Sequence, residues 1–229
     1  MSIHNPVVES ATFGAGGADP YDRALEGASD ALILVNASSV SASPATSEID
    51  IGRFLRQADD ADLTVVRRAH GPVLDVGCGP GRMVKAAILA GHLALGVDVS
   101  GAAVALAREK GLPVLRRSVF ETLPSEGAWG TVLLLDGNIG IGGDPGALLD
   151  RCASLVAPGG RILVETHSES QRDRSFDAVV IDGRGRSSMK FPWAEVGIEA
   201  LRRLANQTGL KVVHEWKSGD RAFAGYVRS

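Results

Sequence analysis

A short apolar run that ends in a cluster of glycines limits the possible folds of this chain more than any other stretch. Residues 73–82 read Val-Leu-Asp-Val-Gly-Cys-Gly-Pro-Gly-Arg, and the residues that follow, 83–90, have a helical composition. In α/β folds, a strand, a glycine turn and a helix in this order place backbone N–H groups and the positive end of the helix against a ligand. The glycines are spaced Gly-x-Gly-x-Gly, whereas nicotinamide- and flavin-binding turns are spaced Gly-x-Gly-x-x-Gly. The stretch therefore predicts an α/β protein with a nucleoside-type ligand and argues against a nicotinamide-dependent oxidoreductase.

From residue 72 onward, short apolar runs alternate with helical segments. The predicted core strands cover residues 73–76, 93–97, 113–117, 131–135 and 161–166. This alternation predicts βαβ units and a parallel sheet, and the near-continuous apolar strands predict burial on both sheet faces. Two final strands, 211–216 and 222–227, are joined too tightly for a crossover, so the last strand is antiparallel. The sequence thus predicts a Rossmann-like, doubly wound α/β fold with a seven-stranded, mostly parallel sheet and helices on both faces.

Two regions fall outside this alternation and are candidates for covering a ligand. Residues 1–70 are predicted to form a helical and flexible cap segment, which contains a loop of small polar residues at 36–47. Residues 71–229 are the predicted main domain. Within that domain, the alternation at about 174–191, interrupted by a glycine-containing turn, predicts a β-hairpin insertion. A helix over residues 193–208 is predicted to follow the hairpin directly.

Composition argues against several classes of function. The chain has 229 residues and a net charge of −3, so it lacks the basic excess that holds a nucleic-acid backbone. Two cysteines are too few for a disulfide framework, which favours a reducing compartment. No apolar run reaches the roughly 20 residues of a membrane span, and the N-terminus lacks a signal-peptide pattern. We therefore expect a cytoplasmic monomer or homodimer with a small-molecule partner, no nucleic acid, no membrane and no metal.

Several segments in register resemble class I S-adenosylmethionine-dependent methyltransferases. The matching features are motif I at residues 73–81, Asp98 after the second core strand, Ser118-Val119-Phe120 after the third, Asp136-Gly137-Asn138 after the fourth, and Pro158-Gly159-Gly160 before the fifth. The resemblance covers roughly residues 71–165. Shorter pieces at 21–25, 134–145 and 191–194 are similar to a group of small bacterial methyltransferase-domain proteins of unassigned substrate. The resemblance implies the fold described above and S-adenosyl-L-methionine as the cofactor.

The same resemblance implies which residues hold the cofactor. Asp75 is expected to bind its cationic amino end, and Asp98, which lies 21 residues beyond Gly77, is expected to accept the ribose hydroxyls. The complete implied set is Asp75, Gly77, Cys78, Gly79, Gly81, Arg82, Asp98, Val99, Val119, Phe120, Asp136 and Gly137. Helix capping remains an alternative for Asp75 and Asp98, and core packing remains one for Phe120. Many relatives carry an aspartate at position 118, so its replacement by serine puts one bond to adenine in doubt.

Methyl transfer from a sulfonium is an in-line displacement in which the protein mainly positions the partners. Asn138 is expected to face the transferable methyl group. A hydroxyl or ammonium nucleophile also needs a base, and the candidates near the strand ends are His167, Glu165 and Glu169. Two alternatives remain for these bases: His167 is a solvent-exposed loop residue, or Glu165 is a hydrogen-bonded polar group at a strand end. For the glycine loop 137–143, the alternative is a flexible connection that ends in a helix cap at Asp144.

The predicted activity is S-adenosylmethionine-dependent methyl transfer to an O, N or C nucleophile of a small molecule. One alternative is an enzyme of the same fold that uses the cofactor for a non-methylating reaction. The other is a non-catalytic module that only binds the cofactor.

Overall fold

The computed structural model describes residues 12–14, 20–27, 31–38 and 46–228. The chain begins with the elements α1 (Pro20–Leu25), β1 (Leu32–Asn36), β2 (Thr46–Ile49), α2 (Ile51–Leu55) and α3 (Asp60–Val66). Most of the predicted flexible stretches, 1–20 and 36–47, lies outside the described residues. Where the structure describes the N-terminal region, it contains two strands in addition to the expected helices.

The predicted alternation follows. Its elements are β3 (Val73–Val76), α4 (Arg82–Leu89), β4 (Ala94–Asp98), α5 (Gly101–Glu109), β5 (Val114–Arg116), β6 (Trp129–Leu134), a 3₁₀ turn (Asn138–Gly140), α6 (Pro145–Leu155) and β7 (Val156–Thr166). The chain ends with β8 (Asp173–Ile181), β9 (Phe191–Val196), α7 (Ile198–Gln207), β10 (Leu210–Ser218) and β11 (Arg221–Arg228). No helix in the part of the chain that the structure describes is long and apolar enough to cross a membrane.

Seven strands form the main sheet, in the order β10-β11-β7-β6-β3-β4-β5. The pairs from β7 to β5 are parallel, and β11 is antiparallel to both of its neighbours. The prediction of a mostly parallel sheet with an antiparallel last strand is therefore confirmed, with β11 inserted between β7 and β10. Because β3 lies between β4 and β6, the carboxyl ends of these three strands open at one edge of the sheet.

Helices cover both faces of this sheet. Along β6, Val132 and Leu134 pack against residues of α6 and α7, including Leu148 and Leu201. The intervening Leu133 faces the opposite layer, which is formed by α3 and α4. Successive side chains of a strand point to opposite faces, so a strand that is buried on both sides needs an unbroken apolar run. The sandwich holds the carboxyl ends of β3, β4 and β6 rigidly in place.

A second sheet, with the order β2-β1-β8-β9, covers these carboxyl ends. All of its pairs are antiparallel, and β1 pairs with β8 through contacts such as Leu34 with Val180. Its inner face packs against α1 and α5 in a separate core cluster that includes Tyr21, Phe191 and Trp193. The two regions outside the predicted alternation are thus joined in one structure. We call this sheet the cap sheet, and the cap sheet together with residues 12–14, α1 and α2 the cap.

The predicted hairpin exists, but its second strand lies later in the chain than expected. β8 pairs with β9 over Asp173–Ala178 and Phe191–Val196, whereas Ser187 makes only an isolated bridge. The helix predicted to begin at residue 193 begins at Ile198. Burial of Phe191, Trp193, Ala194 and Val196 stabilises the strand, and a proline is tolerated within it because β9 is an edge strand.

Candidate active site

The glycine turn after β3 has a backbone conformation that glycine adopts far more easily than other residues. Gly77, Gly79 and Gly81 have φ angles of 66°, 53° and 85°, all in the left-handed region. Gly81 also precedes α4 directly and is its N-cap residue. A Cβ atom at Gly77 would lie only 2.6 Å from Nδ2 of Asn138, so the turn is tightly packed on its inner side as well.

Asp98 ends β4 and is bound to the same turn. Its Oδ2 accepts the N–H of Gly79 at 2.8 Å, and its Oδ1 accepts the N–H of Ser100 at 2.8 Å. Burial raises the pKa of Asp98, although these backbone hydrogen bonds act in the opposite direction. The side chain of Ser100, not that of Asp98, caps α5. A carboxylate has about four acceptor positions, so Asp98 can accept further hydrogen bonds from a ligand.

Two cavities lie at this edge of the sheet. The larger one has a volume of about 730 Å³ and is lined by Asp98, Val99, Val119 and Phe120, among others. The smaller one has a volume of about 40 Å³ and lies beside Asp75, Cys78 and Arg82. Both linings include Gly77 and Asn138, so the cavities meet where the glycine turn contacts the loop after β6.

Asp75 is a buried carboxylate beside the smaller cavity. The side chain accepts no hydrogen bond from any of the described residues, and the residue is only 3% exposed. Burial raises its pKa well above the usual range, and the charges of Asp136 and Asp98 raise it further. The helix after the turn has no side-chain cap, so capping does not account for Asp75. An unpaired buried carboxylate is costly without a partner, so a cationic group of a ligand would suit this position.

The loop after β6 holds Asp136 in an uncommon conformation. Its φ angle is 55°, and among the described residues other than glycine only Ser125 also has a positive φ. The carboxylate of Asp136 contacts Arg82 on one side, and its Oδ1 lies 3.1 Å from Nη2 of Arg53 on the other. The following Gly137 also has a positive φ and begins the 3₁₀ turn, but it lines neither cavity among the described residues.

Asn138 lies where the two cavities meet, but its amide group faces the protein backbone. Nδ2 donates to the carbonyl oxygens of Val76 and Gly77 at 2.8 and 2.9 Å. These bonds connect the loop after β6 to the glycine turn after β3. The contacts favour a positioning role for this side chain, with only Oδ1 left to face a ligand.

Glu165 and His167, the two predicted bases, occupy different environments. Both oxygens of Glu165 are bound by Arg221 at 2.7 Å, and the N–H of Asp136 donates to Oε2 at 2.9 Å. Burial alone would raise the pKa of Glu165, but Arg221 and the other donors outweigh it and lower the pKa. Nδ1 of His167 accepts the N–H of Glu169. Neither Glu165 nor His167 lines either cavity in the described part of the chain.

The remaining predicted residues surround the cavities in different ways. Phe120 is 48% exposed and lines the larger cavity, which excludes core packing as its role. Cys78 lines the smaller cavity, and burial raises the pKa of its thiol. Gly81 lines neither cavity, and a Cβ there would lie 2.5 Å from Cδ1 of Leu112, so this glycine allows α4 to pack closely.

Sequence reasoning missed the aromatic side chains that the cap contributes. Tyr21 and Phe54 line the smaller cavity, and Phe13 and Trp193 line the larger one. The ring of Phe13 connects the two linings, since its centroid lies 4.8 Å from that of Tyr21 and 5.8 Å from that of Trp193. Aromatic residues make up only 5% of the chain, and five of the eleven lie in the two regions outside the predicted alternation, with Trp193 just beyond the second region. That concentration was a usable indication of a ligand-covering surface.

A sequence profile described as a methyltransferase domain matches residues 53–215. The chain belongs to this methyltransferase family. The chain is 36% identical over 108 residues to a ubiquinone biosynthesis O-methyltransferase of Azotobacter vinelandii, and the match covers 44% of this chain and 46% of the relative. A protein of the same name from Marinobacter nauticus is 29% identical over 153 residues, covering 63% and 55%. The chain thus spans about half the length of these curated relatives.

Solved structures share this fold. The chain resembles an S-adenosylmethionine-dependent methyltransferase of Bacteroides fragilis, solved with S-adenosyl-L-homocysteine, with a TM-score of 0.74, 19% identity, and coverage of 93% of this chain and 94% of that one. At this identity the likeness shows the shared fold. The predicted class I fold and the predicted methyltransferase family are confirmed.

Proposed function

We propose that the protein transfers the methyl group of S-adenosylmethionine to a nucleophile of a small molecule. The observation that carries the proposal is the meeting of two different cavities at Gly77 and Asn138. One contains the unpaired carboxylate of Asp75, which suits an ammonium group, and the other contains Asp98, which suits ribose hydroxyls. When bound, the cofactor supplies an activated methyl group on a sulfonium, so the protein's main task is to position the acceptor.

Arg53 is the residue we place at the carboxylate of the cofactor's amino-acid end. Its Nε and Nη2 atoms are buried and make no hydrogen bond within the described residues, although Nη2 forms an ion pair with Asp136 at 3.1 Å. The neighbouring Phe54 lines the smaller cavity, and Arg53 lies beside Asp136, which lines it too. A guanidinium with unused donors can hold a carboxylate through two parallel hydrogen bonds.

For the acceptor, we propose a flat aromatic compound with a hydroxyl group. Phe13, Ile141 and Trp193 line the larger cavity that also contains Asp98, and they present an apolar surface to such a ring. No histidine or lysine lines either cavity among the described residues. A phenol ionises with a pKa of about 10, as tyrosine does, and so depends less on a strong base than an aliphatic alcohol. The names of the two curated relatives, both O-methyltransferases, support the same choice.

The test is incubation of the protein with methyl-labelled S-adenosylmethionine and the small-molecule fraction of a bacterial extract. We expect label in a small-molecule product together with formation of S-adenosylhomocysteine. A defined panel of phenols, aliphatic alcohols and amines then tests the acceptor class, with the phenols expected to react. Label that appears only in breakdown products of the cofactor itself would overturn the proposal.

Substitution of Asp98 tests the placement of the nucleoside. Asp98→Ala should weaken binding of S-adenosylhomocysteine by about 2–3 kcal/mol, because the ribose hydroxyls lose a charged acceptor. Isothermal titration calorimetry measures this change directly. Asp144→Ala is the matched control, since Asp144 also accepts a backbone N–H at the start of a helix but lines neither cavity among the described residues. Unchanged affinity in Asp98→Ala would show that the ribose binds elsewhere.

A further inference from the structure

A closed ring of hydrogen bonds and ion pairs begins and ends on Asp136. Its N–H donates to Glu165 at 2.9 Å, and Nε and Nη2 of Arg221 each donate to Glu165 at 2.7 Å. Nη1 of Arg221 donates to Oδ1 of Asp62 at 2.8 Å. The other oxygen of Asp62 contacts Arg82, which also contacts the carboxylate of Asp136. The five residues come from α3, α4, the loop after β6, and the ends of β7 and β11.

The ring is buried, which makes stability an insufficient explanation for it. The side chains of Asp62 and Arg82 are 1% and 3% exposed, and those of Arg221 and Glu165 are 10% and 12% exposed. Removing charges from water costs about as much as their mutual attraction returns, so buried ion pairs add little net stability. Their hydrogen-bond geometry, in contrast, is directional and can impose one conformation on the group that they surround.

The group that the ring surrounds is the backbone of Asp136, which is strained. A left-handed conformation at a residue other than glycine persists only where its surroundings over-determine it, and such residues cluster at ligand sites. The ring holds Asp136 at both its N–H and its carboxylate. Leu135, Asp136 and Asn138 line the smaller cavity together with Asp75, so the conformation at Asp136 shapes that cavity.

We propose that the ring is a positioning device, in which Glu165 and Arg221 hold Asp136 in its left-handed conformation and so form the subsite for the amino-acid end of the cofactor. Glu165 thereby acts through Asp136 and is not the base. The inference rests on the proposed placement of that end beside Asp75. It predicts that the ring affects only ligands that possess an amino-acid end.

Two ligands separate this role from a purely structural one. S-adenosylhomocysteine has both an adenosine and an amino-acid end, whereas 5′-methylthioadenosine lacks the amino-acid end. Glu165→Gln should weaken binding of the first by about tenfold or more, because a charged partner of the ring is lost. It should leave the affinity for 5′-methylthioadenosine within about twofold, since Asp98 is unchanged. Calorimetric titration of both ligands gives the ratio.

A double variant keeps the test valid if the single variant unfolds. Glu165→Met with Arg221→Met removes both charges of this pair together, so the melting temperature should fall less than in Glu165→Gln, while the loss specific to S-adenosylhomocysteine remains. Glu215→Gln is the control, because it breaks a similar bidentate pair with Arg202 on the exposed surface. This control should bind both ligands as the wild type does.

The outcomes distinguish the ring from the proposed function. Ring variants that bind S-adenosylhomocysteine as tightly as the wild type, or that lose both ligands equally, would overturn the positioning role and leave the proposed function standing. A wild-type protein that binds neither ligand would overturn the placement of the cofactor, and the inference with it. Asp98→Ala should bind both ligands more weakly than the wild type. The ratio of the two affinities therefore distinguishes a substitution in the ring from one beside the proposed ribose position.

Discussion

Asp75 illustrates how a single side chain can favour ligand binding at the expense of the ligand-free fold. It lies between Leu74 and Val76 in an otherwise apolar strand, and the strand buries it beside the smaller cavity. Burial raises its pKa, so the folded protein favours the protonated form more than the unfolded chain does. Its contribution to stability is therefore complete below the unfolded pKa and is lost as the pH rises through the folded pKa.

Replacing Asp75 by asparagine should raise the melting temperature of the ligand-free protein at neutral and alkaline pH. The same variant should lose about tenfold or more in affinity for S-adenosylhomocysteine, because the ammonium group loses a charged acceptor. In the wild type, an ammonium favours the ionised carboxylate, so binding should release a proton and tighten as the pH rises towards the folded pKa. Thermal denaturation across pH and calorimetry in two buffers of different ionisation enthalpy measure both effects.

Asp182 is a control for Asp75, because its pKa is shifted in the opposite direction. Desolvation would raise its pKa, but the N–H groups of Arg186 and Arg184 and the Arg186 guanidinium outweigh this effect and lower it. Its stabilising contribution is therefore present above the unfolded pKa and is lost as the pH falls through the folded pKa. Asp182→Asn should lower the melting temperature and leave ligand binding unchanged. A lowered melting temperature in Asp75→Asn would contradict the account given for Asp75.

The glycine-rich loop between β6 and α6 is a packing element. A Cβ at Gly140 would lie 2.2 Å from the carbonyl oxygen of Ala194, and one at Gly143 would lie 2.8 Å from Cβ of Pro192. These glycines let the loop lie directly against β9, so close approach explains them better than a flexible connection does. The predicted helix cap at Asp144 is present, since its Oδ1 accepts the N–H of Ala147 at 3.0 Å.

Gly140→Ala should destabilise the protein by about 1–3 kcal/mol, because the added methyl group forces the loop and β9 apart. Gly146→Ala is the matched control within α6, where the nearest atom to an added Cβ lies 3.4 Å away. That control should be stabilising by about 0.5–1 kcal/mol, as expected for glycine in a helix. Urea unfolding monitored by tryptophan fluorescence measures both variants. Equal stability of the two variants would show that the loop is not packed as described.

On the largest scale, the protein consists of a sheet that holds the site and a cap that covers it. The cap is fastened to the main domain at the proposed nucleoside end, where Ser100 donates to Oδ1 of Asp22 at 2.6 Å. At the proposed amino-acid end, Arg53 lies within 4 Å of Asp62, Asp136 and Glu165. Cap residues also line both cavities, so a bound ligand would add contacts that join the two parts.

Binding of S-adenosylhomocysteine should therefore slow amide hydrogen exchange in α1 and β9, because Tyr21 and Trp193 line the cavities. The edge strand β10 contributes no described residue to either cavity and should exchange at an unchanged rate. Hydrogen–deuterium exchange followed by mass spectrometry resolves these segments. Protection that is equal in β10 and α1 would indicate general stabilisation instead of closure by the cap.

The sequence alone was sufficient for the parts of the protein that depend on local patterns. The apolar run, the spacing of Gly77, Gly79 and Gly81, and the short connection between β10 and β11 each depend on backbone preferences of neighbouring residues. These patterns identified the sheet, the turn and the position of Asp98 at the end of β4. Aspartates at the ends of parallel strands could be placed in one site because such ends meet at one edge of a sheet.

Tertiary structure decided the features that join distant parts of the chain. Local alternation cannot show that β1 pairs with β8, and Asp62 and Arg221 of the ring lie 159 positions apart. Burial and hydrogen bonding also decided the surroundings of Glu165, which has the residue type of a base but is bound by Arg221. A carboxylate's chemistry depends on the charges and solvent around it, and only the folded chain determines which groups those are.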